Sequence, residues 1–265
     1  MTDNIKVEQN ANFGSKSINQ IAEQNNYYNG MTPEQASKLA LDIFMDNFPK
    51  LKEIATNTAR QRAEELTKEF ILKLSKRNIT DLSSFSDPDV QYILWETHRD
   101  YARLGNNELL NVLSDLIADR IQYDKNSYMK IIIDRALQTV NYLTSQHLDY
   151  LSVLFILKNV KFGHVNSLES LSKELHYMES VFHPCENKSA SLLNSLGCLE
   201  LSIIFIVEAL AQTYRLDKNE VEKICPPKFA ELNGDNTVSH IGTILAIANA
   251  KAKSRYHFDP KIWIH

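Results

Sequence analysis

At 265 residues with 43% apolar side chains, the chain has enough apolar surface to bury a sizeable core, as one large domain or two small ones. A formal net charge of −4 excludes a protein that wraps nucleic acid through overall charge alone, and no strong nucleic-acid signal appears elsewhere. Seven glycines and seven prolines are too few for a turn-rich β-sandwich, so the expected fold class is mainly α, a multi-helix bundle behind a short β-like polar arm.

The arm is residues 1–31. Asn and Gln dominate it, and apolar and polar residues alternate around Ile5 and Val7 and again around Ile18 and Ile21. A ribbon of this kind is marginal alone in water. It is therefore expected to pair either with the body or with the same arm of another copy; the favoured reading is the second, through Ile5, Val7, Ile18 and Ile21, making the chain a homo-oligomer. Residues 32–265 form the expected helical domain, with a subdivision near 183–198, where Pro184 and a polar run interrupt the pattern.

Thr32-Pro33-Glu34-Gln35 reads as a helix start, and Pro49 is expected to end that helix near Phe48. A second helix follows from Lys50 to Arg77, with Leu51, Ala55, Ala59, Ala63, Leu66, Phe70 and Leu74 as its stripe. Asp87-Pro88-Asp89 opens the next, in which Val90, Ile93, Leu94, Thr97, Tyr101 and Leu104 recur at helical spacing until Gly105. In its partner helix Leu109, Leu113, Leu116 and Ile117 make the buried side, while Glu108, Asn111, Asp115, Asp119 and Gln122 make a polar one. Asp115 and Asp119 are four apart and share a face. With His98 they could hold a hard divalent cation, and Arg103 joins them as a candidate catalytic residue. The plainer reading pairs the two acids with Arg99, Arg103 or Arg120 on a solvated face.

Asn126 is expected to cap a helix through Met129, Ile132, Ile133, Ala136, Val140 and Leu143. His147–Lys158 is apolar on nearly every side and belongs at the centre, as a helix or as a buried strand. Ser167–Phe182 is amphipathic, and a short helix near residue 190 ends at Gly197. Leu199–Tyr214 reads as a second very apolar helix. Thr237 is expected to cap the last long helix, along which Gly242, Ala246 and Ala250 line up. Lys251, Lys253 and Arg255 gather at its negative end; with Tyr256 and His257 they suit helix capping better than phosphate contact.

Cys185, Cys198 and Cys225 form no C-x-x-C pair and read as reduced thiols of a cytoplasmic protein. His176, His183 and Cys185 lack zinc spacing. No signal peptide is legible, and the apolar runs Leu148–Leu157 and Leu199–Ala211 fall short of the roughly 20 residues that span a bilayer. P-loop, dinucleotide, H-E-x-x-H and G-x-S-x-G motifs are missing. No cofactor is expected, a divalent metal aside.

Gln9-Asn10-Ala11, Ser17-Ile18, Tyr101-Ala102-Arg103 with Gly105, Asp115-Leu116 with Asp119-Arg120, Leu151-Ser152 with Phe155, and Gly197-Cys198 resemble, in that order, a family of uncharacterised bacterial proteins that carry locus-tag names. The paired apolar helices and Ser239-His240-Ile241-Gly242 resemble abortive-infection proteins of antiviral systems more faintly. The expected function is a non-enzymatic, homo-oligomerising effector or interaction component of bacterial antiviral defence, with a phage-derived or host protein as partner. The alternatives are a metal-dependent hydrolase or nuclease using the 92–122 hairpin, and an effector that acts on membranes.

Overall fold

The computed structural model describes residues 32–79, 83–123, 127–232 and 236–264. The arm contacts expected of Ile5, Val7, Ile18 and Ile21 therefore lie outside the described residues. The fold is mainly helical. The chain divides into two compact units, one ending at Thr56 and the other beginning at Asn57.

Helix α1, Pro33–Lys76, runs unbroken through Pro49 and across that boundary. An interior proline costs about 3 kcal/mol because it removes a backbone bond and crowds the preceding turn. Here the affected turn is exposed at Met45, Phe48 and Pro49, so water can reach the carbonyl left without a partner. The helix continues where a break had been expected. The stripe read from its sequence divides too: Leu66, Phe70 and Leu74 are buried, whereas Leu51 is 49% exposed.

In the second unit, α2 (Pro88–Leu104) starts as its sequence requires, with the Asp87 carboxylate accepting from the Asp89 N–H at 2.9 Å. It stops at Gly105, in the left-handed region at φ +61°, whose N–H donates to the Tyr101 carbonyl. Arg62 Nη1 donates to the Ala102 and Arg103 carbonyls, both at 3.0 Å, so the guanidinium lies where a Cβ on residue 105 would sit. Only glycine meets both demands, which gives Tyr101-Ala102-Arg103 and Gly105 a structural reason.

Next come α3 (Leu110–Arg120) and α4 (Tyr128–Val140). Asn126 is outside the described residues; Ser127 caps α4, accepting from the Lys130 N–H at 3.2 Å. Helix α5 (Ser145–Asn159) opens with a Thr144–His147 capping box and is buried continuously from His147 to Leu157. The buried-strand reading gives way, since a fifteen-residue helix suits a run surrounded on every side. After α6 (Leu168–Val181) and α7 (Asn187–Ser195), Gly197 turns the chain at φ +70° into strand β1 (Leu199–Leu201).

The expected helix over 199–214 is two elements. Strand β1 pairs antiparallel with β2 (Asn236–Val238), Leu199 opposite Val238 and Leu201 opposite Asn236. Helix α8 begins only at Ile206 and ends at Tyr214. Leu201 and Ile203 are at least 90% exposed, so an earlier helical start would have had no core to cover. Apolar composition alone does not distinguish the two conformations over so short a run. Short helices α9 (Lys218–Ile224) and α10 (Pro227–Ala230) follow.

Helix α11 (His240–Lys253) packs most extensively on α5. Its cap is Ser239, with Thr237 two residues earlier inside β2: the Ser239 hydroxyl accepts from the Gly242 N–H at 3.2 Å and donates to the Gly197 carbonyl at 2.7 Å. No helix among the described residues is long and apolar enough to cross a membrane.

Candidate functional site

Asp115 and Asp119 project from α3 on one face, as their spacing requires, but the face is not solvated at Asp115. Its side chain is 2% exposed and meets three cations: Arg77 at 2.7 Å, with Lys73 and Lys251 each at 3.1 Å. The Arg77 fork also reaches Asp119 Oδ1 at 2.5 Å, joining both acids. None of Arg99, Arg103 and Arg120 fills that role. Arg99 contacts Glu96 and Asp100, Arg103 is exposed, and buried Arg120 pairs with Asp89 and with Asp134.

Burial opposes the charge on Asp115, yet Lys251 and Lys73 outweigh it and hold the carboxyl below its ordinary pKa. For Asp119, at the rim with 36% of its side chain exposed, burial prevails over Arg77 and Lys251 and pushes the pKa up. His98 stands apart from the pair. Its Nε2 meets Thr67 Oγ1 on α1 at 2.9 Å and its Nδ1 the Leu94 carbonyl one turn back in α2 at 2.8 Å, so both ring nitrogens are already engaged. Among the described residues no three His, Cys, Asp or Glu side chains gather into a metal-holding group. Both Asp115 oxygens already accept from cations, which a divalent ion would have to displace.

Lys251 belongs to a larger pattern. The three basic residues at the end of α11 reach three buried acids on three different helices. Lys251 takes Asp115 on α3; Lys253 takes both oxygens of Asp149 on α5, at 2.8 and 2.9 Å; Arg255 takes Glu174 on α6 at 2.7 Å. Asp149 also accepts from Asn249 Nδ2 and from the His183 N–H, each at 2.9 Å. Asn249 reaches Ser152 Oγ at 2.9 Å, and that hydroxyl donates to the Ala246 carbonyl.

Glu174 receives the Tyr256 hydroxyl and lies 3.0 Å from His164 Nε2. Burial again opposes its charge, and hydrogen bonds from Tyr256, His164 and Arg255 overcome that cost, leaving its pKa lowered. Arg255 lies 4.0 Å over the Tyr177 ring, while Tyr256 stacks on Phe162 and Phe182. Lys251, Lys253, Arg255 and Tyr256 are thus engaged with the protein's own carboxylates, which is an electrostatic clamp on α3, α5 and α6.

The sequence reading had passed over Asp149 and Glu174. A signal existed for each: Asp149 is the acid inside the most apolar run, and Glu174 sits beside Leu171 and Leu175 in the α6 stripe. The thiols offer no nucleophile. Burial raises Cys185 and Cys225 to about 11 and Cys198 to about 12, so all three are protonated at neutral pH.

Among the described residues, α1 carries an exposed apolar stripe. Leu41, Phe44, Phe48 and Leu51 alternate by three and four residues, lie between 45% and 58% exposed, and are flanked by exposed Met45 and Ile54. The Phe44 and Phe48 rings stand 5.6 Å apart.

The model of an uncharacterised family, described as "-like" after a locus tag, matches residues 30–238. No curated protein and no solved structure matches the chain.

Proposed function

We propose, from the premise that the chain belongs to this uncharacterised, locus-tag-named family, that it is a non-enzymatic helical interaction protein that assembles with copies of itself. The observation that carries the reading is the exposed seam of Leu41, Phe44, Phe48 and Leu51. Apolar side chains alternating by three and four residues make a stripe that one helix covers with another of the same kind, because each knob finds a hole on an identical partner. Charges of both signs, Lys38, Asp42, Asp46 and Glu53, lie outside the seam and suit a helix wet on its other sides.

Residues 1–31 precede this helix directly, and pairing of the arm through Ile5, Val7, Ile18 and Ile21 would add to the same assembly. The engagement of Asp115 by Lys73, Arg77 and Lys251 favours interaction over metal-dependent hydrolysis. A role in bacterial antiviral defence, with a phage-derived or host protein as partner, rests on the likeness of Ser239-His240-Ile241-Gly242 and the paired apolar helices to abortive-infection proteins. Deleting residues 1–30 is expected to lower the assembly state in light scattering and to abolish protection against phage in a plating assay. An unchanged mass would remove the arm from the assembly, and equal plating with and without the gene would remove the defence role.

A further inference from the structure

A cleft of about 430 Å³ opens between the start of α7 and the end of α10, a volume in the range of small-molecule sites. Its walls are tied together by Asn187, whose side-chain amide donates to the Glu231 carbonyl. Leu232 and Cys185, 5% and 7% exposed, contribute buried lining.

Four charged side chains line the cleft: Glu186, Lys188, Lys228 and Glu231. None forms an ion pair with another described residue, although every buried acid on α3, α5 and α6 considered above is neutralised by a cation. Lys188 stands in the first turn of α7, where the helix dipole disfavours a cation, and no side chain caps that helix. A positive side chain at an uncapped helix start is an arrangement that receives a carboxylate. The lining as a whole is neutral, with two charges of each sign. An anion alone would be repelled by the glutamates, and a cation alone by the lysines.

We propose that this cleft binds a small zwitterion of the amino-acid or dipeptide class, with its carboxylate on Lys188, Lys228 and the start of α7, and its ammonium on Glu186 and Glu231. The apolar body of the ligand rests on Leu232 and on the Cys185 thiol, which stays neutral and offers a weak donor.

The test is calorimetric titration of the full chain with L-leucine and glycyl-L-leucine, beside N-acetyl-leucine amide, which lacks both charges, and inorganic phosphate. Saturable binding of leucine or the dipeptide is expected, at least tenfold tighter than the blocked compound. Lys188→Ala with Lys228→Ala, and separately Glu186→Gln with Glu231→Gln, should each weaken it at least tenfold. All four positions are exposed, so the circular dichroism spectrum should not change. Binding of phosphate alone, no saturable binding of either zwitterion, or binding indifferent to both double variants would overturn the proposal.

Discussion

Replacing Asp115 by Ala is expected to destabilise the protein by about 3–5 kcal/mol, the cost of leaving buried charges without their counter-ion. Three cations converge on this carboxylate from two segments of the chain, Lys73 and Arg77 at the end of α1 and Lys251 on α11. With the acid gone, they repel one another, and Asp119 at the rim, ion-paired with Arg77 and attracted by Lys251, is the one carboxylate of the pair left to them. At roughly 2–4 °C per kcal/mol for a chain of this size, the midpoint of thermal unfolding should fall by roughly 6–20 °C. The pH dependence has a definite sign. The folded-state pKa of Asp115 is lowered, so its contribution is fully present above the unfolded value of about 3.9 and is lost as pH falls through the folded value. Glu174 is lowered too and acts in the same direction, whereas Asp119 is raised and gains stability on protonation. Wild-type stability should therefore drop in acid below about pH 4, and Asp115→Ala should flatten that drop.

The second large effect is expected at Gly242. A Cβ placed there would lie 2.1 Å from the Cys198 carbonyl oxygen and 3.3 Å from the Val238 Cβ. The obstacle is backbone that cannot rotate away, and the same carbonyl accepts from the Ser239 N–H at 2.9 Å. Gly242→Ala must push α11 away from the turn entering β1 or break that bond, at a cost of about 3 kcal/mol by analogy with overpacked cores. Gly163→Ala is the matched control: nothing lies within 4 Å of its added Cβ, and a change within about 0.5 kcal/mol is expected. Chemical denaturation of the two variants in parallel measures the contrast. The Gly197-Cys198 and Ser239–Gly242 stretches, which stand out separately in the sequence, thus meet in one joint.

Local signals explain what could be read in advance. Asp87, Pro88 and Gly105 bound α2 because capping and left-handed turns are decided within a few residues. Periodicity likewise located Val90, Ile93, Thr97 and Tyr101 on the buried side of α2, though not the exposed Leu104, and Leu113, Leu116 and Ile117 in α3. What escaped depends on distant partners. The i, i+4 spacing of Asp115 and Asp119 fixes a shared face, but only Lys73, Arg77 and Lys251, up to 136 residues away, make that face buried at Asp115. Lys251, Lys253 and Arg255 look like an open basic patch until Asp115, Asp149 and Glu174 are placed beneath them. Pro49 was read as a break because propensity scores the proline and not the solvent around its turn, and residues 199–205 were read as helix because β2 lies 35 residues further on.

Self-association through the exposed seam of α1 is tested most directly by the mass of the full chain in solution, compared with that of a Phe44→Glu, Phe48→Glu double variant. Both side chains are about half exposed, so the helix content should survive the change. The expected result is a multiple of the 30.4 kDa protomer for the unaltered chain and a shift toward 30.4 kDa for the variant. A mass of 30.4 kDa for both, at every concentration tried, would contradict the account.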